Sequence, residues 1–373
     1  MQLYIGDNIK RLRKQKGITQ ETLAERMNVS TAAVSKWERN ETLPDISMVL
    51  PLASYFGVST DELLGLDAAK TEEKIQEIIN ERNRLSALGK EREVFDLIVH
   101  AYQEYPNDWR IIEEYMWQLN YDPNCKNRCG TEAHKEELYR LCERVLDECT
   151  VDKVRYSALS IFGGLYGIDG QDDKMIEIAK RFPGSYDTQG MHLADCYEEG
   201  SQEWWKQVRE NTADYTDILM HRIYRSALKV SEPSESIRIM KKAIDLIEMI
   251  CDEGDYGFWN YNLGDLYVRI AHRNVLMHNL DAAFENFEKG FRYTKAYDDL
   301  PKTSTHTSFL IRGNVFDKRK ICSGTENNAV AEHLGYLLDT GSYQELKDTP
   351  QMRALIAKYE PFAGKKKDYF NEE

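Results

Sequence analysis

Between Ile18 and Asp45 the chain reads "ITQETLAERMNVSTAAVSKWERNETLPD". Helical spacing puts Val34 and Trp37 on an inner face and leaves Thr31, Ala32, Ser35 and Lys36 on a surface that no core needs. Two hydroxyls, a methyl and an ammonium are hydrogen-bonding and contact groups suited to recognising a partner. Upstream, Lys10, Arg11, Arg13, Lys14 and Lys16 form a basic run with no acid in it. Residues 1–66 hold eight Lys/Arg and eight Asp/Glu, so the remaining chain carries the whole formal charge of −14. That asymmetry points to a small module that tolerates a polyanion, joined to a large body that repels one.

Other chemistry is harder to find. "CKNRC" at Cys125–Cys129, with His134, Cys142 and Cys149 downstream, does not have the spacing of a zinc ribbon or finger, so no metal is expected. Cys142 and Cys149 stand seven apart on one helical face, where free Cys packs as a small hydrophobe. There is no P-loop, no dinucleotide-binding glycine run, no H-E-x-x-H and no G-x-S-x-G, and the eight His do not cluster. No cofactor and no enzymatic activity are expected. The opening "MQLYIGDNIKRLRK" lacks the apolar stretch of a secretory leader. No apolar run reaches the roughly 18 residues of a membrane span. Seven scattered cysteines read as free thiols in a reducing compartment, so a cytoplasmic location is expected.

The elements that must position the four surface residues can be read in turn. Ile5, Ile9 and Leu12 recur at helical spacing, giving an amphipathic helix from Tyr4 to Lys16 that Gly17 ends. Thr19 caps a second helix that buries Leu23, Ala24 and Met27, and Asn28-Val29 makes the turn. Ser30 caps a third helix with Ala33, Val34 and Trp37 inward. Asn40 follows it and tolerates the left-handed conformation of a helix end. Pro44-Asp45 starts a fourth helix carrying Val49, Leu50, Leu52, Ala53 and Phe56. "STDE" at Ser59–Glu62 is a capping box for a short fifth.

Five short helices in this register resemble the helix-turn-helix domain of the Cro/phage-repressor family of bacterial regulators. The match rests on "GITQETLAERMNVSTAAVSKWERNETLPD" and "LPLASYFGVSTDELLG", with Asn40 where the family usually has Gly. The resemblance implies that the third helix lies in the major groove of double-stranded DNA. On that footing Lys36 donates to guanine, Thr31 and Ser35 bond bases or phosphates, and Ala32 touches a thymine methyl. It implies that Gln20, opening the second helix, contacts a phosphate. Arg39 and Arg13 are basic candidates around the same face, and a second reading pairs Arg13 with Glu38 as a brace between the first and third helices. One module buries little surface, so a homodimer on an inverted-repeat operator is expected.

"GLDAAKTEEK" reads as a junction, with Thr71 capping the next helix. The domains are then 1–66 for DNA binding, 67–72 as linker and 73–373 as a helical body. Strand-like alternation is absent, and helical segments recur with short breaks, among them 153–167, 187–198, 256–277, 280–298 and 329–339. "FGGLY" at Phe162–Tyr166, "LADCY" at Leu193–Tyr197 and "LGDLY" at Leu263–Tyr267 share a large-small-x-x-Tyr pattern. The third copy is followed by "AFENFEKG", with Ala283, Phe287 and Gly290 at matching offsets. The region resembles a divergent tetratricopeptide solenoid, which makes the fold class all-α.

In such a solenoid the first helices line a groove. Tyr261, Asp265 and Arg269 fall on one stripe with Asn262 beside it, and His192, Asp195 and Glu199 hold similar ground in the preceding copy. These are the candidate contacts for an effector, although Tyr261 packing in the core and Arg269 pairing with Asp265 is the other reading. "GKKK" at Gly364–Lys367 reads as a solvated tail. A helical-repeat body behind this head is similar to the peptide-sensing regulators of Gram-positive bacteria, which implies a transcription regulator with a short peptide or protein effector. The alternative is a protein-interaction scaffold or antitoxin-like adaptor in which DNA binding is secondary.

Overall fold

The computed structural model describes residues 5–125, 130–184, 187–343 and 346–370. The chain divides into two compact units, Met1–Glu81 and Arg82–Glu373.

The first unit holds α1 (Ile5–Gln15), α2 (Gln20–Met27), α3 (Thr31–Glu38), α4 (Ile46–Phe56) and α5 (Thr60–Leu64), then the start of α6 (Leu66–Ala87). Tyr4, the expected first residue of α1, lies outside the described residues. The caps are those the side chains favour: Thr19, Ser30 and Ser59 accept from the backbone N–H of Thr22, Ala33 and Glu62. Asp45 caps α4 by accepting from Ser47 N–H at 2.9 Å. Asn28 and Asn40 end their helices at φ 53° and 57°, so both asparagines do the work usually given to glycine. One buried cluster joins Ile5, Ile9, Leu12, Leu23, Val34, Trp37, Leu52, Phe56 and Leu63.

Leu50 is 69% exposed, one turn from Ile46 at 88%, because the inner stripe of α4 runs through Leu52, Ala53 and Phe56. Residues 67–72 lie within α6, which runs unbroken through them, since "LDAAKTEEK" has no Gly or Pro to stop a helix and is rich in helix formers.

The second unit continues with α7 (Glu91–Glu104), α8 (Trp109–Asn120), α9 (Gly130–Ala133), α10 (Lys135–Glu148), α11 (Asp152–Ile168), α12 (Asp172–Ala179) and α13 (Gln189–Asp195). It goes on with α14 (Gln202–Lys229), α15 (Pro233–Ile250), α16 (Trp259–Leu276), α17 (Leu280–Asp299), α18 (Ala329–Asp339) and α19 (Pro350–Tyr359). Helices pack chiefly on their sequence neighbours, α7 on α8, α10 on α11, α14 on α15 and α16 on α17. Among the described residues the fold is all-α apart from an antiparallel hairpin, β1 (Thr303–Thr305) against β2 (Val315–Asp317) with Thr303 opposite Asp317, and an isolated antiparallel bridge between Asn327 and Lys365. Three-residue strands are too short to show alternation, so no strand was expected. Helix α19 was not anticipated either, although Thr349-Pro350 is a helix start: Thr349 accepts from Met352 N–H and Pro350 stands in the first turn. Among the described residues no helix is long and apolar enough to cross a membrane.

The repeat holds best at α16–α17. A Cβ on Gly264 would sit 2.4 Å from Thr294 Oγ1 and 3.2 Å from the Gly290 carbonyl oxygen, and one on Gly290 would sit 2.8 Å from Val268 Cγ2. The two helices touch through these glycines, with Ala283 and Phe287 fully buried beside them. The other two copies lack this contact. Gly163 and Gly164 on α11 face open space, and the Leu193 copy lies on the seven-residue α13, which buries none of its residues.

Candidate functional site

On α3 the inner row is Val34 and Trp37 and the outer rows are Thr31/Ser35 and Ala32/Lys36. Ala32 and Lys36 are exposed, and Thr31 and Ser35 half-buried. Among the described residues the side chains of Thr31, Ser35 and Lys36 make no hydrogen bond or ion pair, so two hydroxyls and an ammonium are free to meet a partner. Arg39 is exposed and grips Glu41 through Nε at 2.9 Å and Nη2 at 3.0 Å. A surface pair of this kind is weak and exchangeable.

Arg13 does not join that face. Its Nε donates to Glu38 Oε1 at 2.5 Å, Nη2 to Glu38 Oε2 at 2.9 Å and Nη1 to the Ile18 carbonyl at 2.8 Å. The side chains are 13% and 2% exposed, so the brace between α1 and α3 is the reading that holds. Gln20 joins it: its Nε2 donates to Glu38 Oε2 at 2.8 Å. Glu38 thus ties the starts of α2 and the ends of α1 and α3 together. Burial pushes its carboxyl up, but the bonds from Arg13 and Gln20 outweigh that and hold it below the usual range. Sequence reasoning missed Gln20's part. It also missed Gly6, whose Cβ would lie 2.1 Å from the Trp37 carbonyl, so α1 abuts the end of α3 there. Within the basic run, Arg11 pairs with Glu62 at 3.3 Å and Lys16 lies over the Tyr55 ring, while Lys10 and Lys14 stay exposed.

In the second unit the α16 stripe is assembled, but its members already have partners. Asp265 Oδ2 accepts from Tyr224 Oη on α14 at 2.6 Å, and its Oδ1 accepts from Arg269 Nε at 3.3 Å, with the His333 ring of α18 at 3.8 Å. Burial pushes the Asp265 carboxyl up, yet His333, Arg269 and Tyr224 together hold it below its ordinary value. Tyr261 donates to Glu332 Oε2 at 3.1 Å and stacks on His333, and Arg269 lies over the Tyr336 ring. Helix α18 therefore covers the stripe where an open groove was expected. Asn262 Oδ1 is buried with no hydrogen-bond partner. His192 and Asp195 stand exposed on α13 and make no bond to this cluster.

Beside Tyr261 an open cavity is lined by Phe258, Tyr297, Cys322, Glu332 and Lys366. It shares Tyr297, Ile321 and Lys366 with a second cavity lined by Lys318, Lys365 and Tyr369. Burial pushes Lys318 down to about 8, and its Nζ donates to the Asp298 carbonyl at 3.0 Å. The expected solvated tail builds this wall instead. Asn328 N–H bonds the Gly364 carbonyl at 2.8 Å, and Lys366 N–H bonds Glu326 at 2.9 Å. Neither segment carries a helical pattern, so sequence periodicity gave no signal for the cavity. Of the cysteines read as packing residues, Cys142 and Cys149 are buried, and burial pushes the Cys142 thiol up to about 12.

A family model described as helix-turn-helix matches residues 9–63. The HTH-type transcriptional activator BcrR of Enterococcus faecalis is 28% identical over 118 residues, 32% of this chain and 56% of BcrR. The HTH-type transcriptional regulator ImmR of Bacillus subtilis is 37% identical over 65 residues, 17% of this chain and 51% of ImmR. The HTH-type transcriptional regulator y4dJ of Sinorhizobium fredii is 38% identical over 64 residues, 17% of this chain and 83% of y4dJ. The chain thus spans about half the length of BcrR and ImmR. Among solved structures, Bacillus thuringiensis PlcR in complex with the peptide PapR7 and DNA is similar at TM-score 0.33 and 14% identity, covering 79% of this chain and 96% of that one. ComR from S. thermophilus in complex with DNA and its signalling peptide ComS is similar at TM-score 0.27 and 16% identity, covering 79% and 94%.

Proposed function

Because the chain belongs to the helix-turn-helix family of HTH-type transcriptional regulators, we propose that it is a sequence-reading DNA-binding regulator that acts as a homodimer in the cytoplasm and answers to a short peptide or protein effector. The observation that carries the DNA half is α3: one face is anchored by Val34 and Trp37, and the other offers Ala32 and Lys36 exposed with the unbonded hydroxyls of Thr31 and Ser35. In this reading residues 1–66 are the DNA-binding part and residues from 73 onward the sensor. Lys36 donates to a guanine O6 or N7, Ala32 meets a thymine methyl, and Thr31 and Ser35 bond bases or phosphates. Gln20 sits at the α2 N-terminus beside a phosphate, and Arg39 exchanges Glu41 for another. The exposed apolar strip of Leu43, Ile46 and Leu50 supports pairing with a second copy.

The effector half is supported by the cavity beside Tyr261, whose walls of Phe258, Tyr261 and Tyr297 suit the apolar side chains of a short peptide. The test is selection from a random duplex library by the full-length protein at fixed moderate salt. An enriched inverted repeat with half-sites about one helical turn apart is expected. No enrichment by the full chain, with or without cell-derived peptides, rejects the reading in favour of an interaction scaffold.

A further inference from the structure

The loop between α8 and α9 is pinned at both ends. A Cβ on Gly130 would lie 2.2 Å from the Leu119 carbonyl oxygen and 2.6 Å from Asp122 N, so only glycine permits this approach. Thr131 Oγ1 adds a hydrogen bond to Asn120 Oδ1 at 2.9 Å. The closure brings together three side chains that sequence spacing had dismissed or overlooked. Asp122 is only 5% exposed. Its Oδ2 lies 2.7 Å from His134 Nε2 and 3.5 Å from Cys125 Sγ, while its Oδ1 accepts from Asn124 N–H at 2.8 Å. One sulfur, one nitrogen and one oxygen donor lie within 4.8 Å of one another.

Cys125 differs from the packing cysteines. Cys142 and Cys149 are buried, whereas Cys125 is half-buried with its sulfur against a carboxylate. A thiol is a weak donor, and such a contact uses a buried carboxylate poorly. A thiolate, an imidazole and a carboxylate are instead a ligand set for a borderline-soft divalent ion, and sulfur and nitrogen disfavour Mg²⁺ or Ca²⁺. In a tetrahedral zinc site oxygen and nitrogen ligands stand about 3.3 Å apart and sulfur lies slightly farther. The Sγ–Oδ2 separation already matches. The Oδ2–Nε2 gap has to open by about half an ångström as the ion replaces the shared proton.

We propose that Asp122, Cys125 and His134 form a binding site for zinc or a similar divalent transition metal, with three protein ligands and a fourth position open. Cys129 lies outside the described residues and is not assigned to the site. Binding takes the Cys125 thiol proton to solvent, moves the His134 ring proton from Nε2 to Nδ1, and replaces the Asp122–His134 hydrogen bond with two metal–ligand bonds. The ion thereby ties Asp122 and Cys125 to His134 more firmly than the hydrogen bonds alone.

The test uses the full-length chain, reduced and stripped with a chelator. It is titrated with Co²⁺ as a spectroscopic probe and with Zn²⁺ against a chromophoric chelator. One equivalent of Co²⁺ with a sulfur-to-cobalt charge-transfer band that Zn²⁺ displaces is expected. Cys125→Ser should lose the band and weaken Zn²⁺ binding by about 100-fold or more, since even residues that only support a ligand contribute about 10–100-fold. His134→Ala should weaken binding while keeping a residual band, and Cys196→Ser, an exposed thiol elsewhere, should change nothing. A folded wild type that takes up no stoichiometric Zn²⁺, or a Cys125→Ser variant that keeps the full band, overturns the proposal. Should Cys125→Ser fail to fold, Zn²⁺ must slow alkylation of Cys125 in the wild-type chain, and unchanged alkylation also overturns it.

Discussion

Replacing Glu38 by Gln removes the carboxylate on which α1, α2 and α3 converge. Glu38 accepts two bonds from Arg13 and one from Gln20, and its side chain is 2% exposed. The amide keeps one acceptor, but its NH₂ must face the donors of Arg13 or of Gln20, and the guanidinium is left buried without a counter-charge. Breaking a buried pair from one side is destabilising by about 3–5 kcal/mol. Arg13 keeps its bond to the Ile18 carbonyl and some solvent contact, which puts the effect at the low end, about 3 kcal/mol. A unit of this size is stable by only about 4–12 kcal/mol, so it stays folded but opens far more readily. At about 1.4 kcal/mol per tenfold, amide exchange in α1 and α3 should speed up by about 100-fold, while α16 peptides stay as in wild type. Hydrogen-exchange mass spectrometry on the full chain reads both. The Arg13→Met/Glu38→Met double variant should recover more than half of the loss, because no unpaired charge remains. Because the Glu38 carboxyl is held below its usual value, its contribution is complete above the unfolded value near pH 4.3 and is lost as pH falls through the folded value. Protection of α1 and α3, taken as exchange relative to the intrinsic amide rate at each pH, should therefore fall on acidification in wild type and much less in Glu38→Gln. Exchange within threefold of wild type at neutral pH, or equal acceleration in α16, would refute the reasoning.

Three further outcomes are expected. Lys36→Ala should lower discrimination at one base pair of the selected site by about tenfold or more, whereas Gln20→Ala should weaken specific and random duplexes alike, as binding titrations at fixed salt will show. Gly264→Ala should destabilise the second unit by about 1–3 kcal/mol in urea unfolding, because its methyl collides with Thr294 in the buried α16–α17 contact. Gly164→Ala, facing open space in a helix, should instead stabilise it by about 0.5–1 kcal/mol. Lys318, pushed down to about 8 by burial, holds fewer protons folded than unfolded between pH about 8 and about 10. Stability of the second unit should thus rise with pH across that window, and Lys318→Met should flatten the rise in urea midpoints measured at its two ends.

What the sequence determined by itself was local. Ser30 and Thr19 reach backbone donors three residues on, Asn28 and Asn40 accept a left-handed turn, and Val34 and Trp37 repeat at helical spacing. Each of these signals acts within one or two turns of chain, and so the α2–turn–α3 unit and the outward Thr31, Ala32, Ser35 and Lys36 could be read before any fold was known. The α16–α17 pair was legible for a related reason: Gly264 and Gly290 have meaning only where two helices touch, and a helix joined by a short turn has one obvious neighbour. Only tertiary structure decided where long side chains spend their hydrogen bonds. Arg13 could have faced a phosphate, but Glu38, 25 residues away, sits closer and is buried. Tyr261 could have lined an open groove, but α18 arrives 71 residues later and takes its hydroxyl. Asp122, Cys125 and His134 converge because Gly130 lets two backbones meet, a contact invisible in a spacing rule. Helix caps are settled by neighbours in sequence, whereas the partner of a flexible charged or aromatic group is settled by which elements pack, and that depends on the whole buried core.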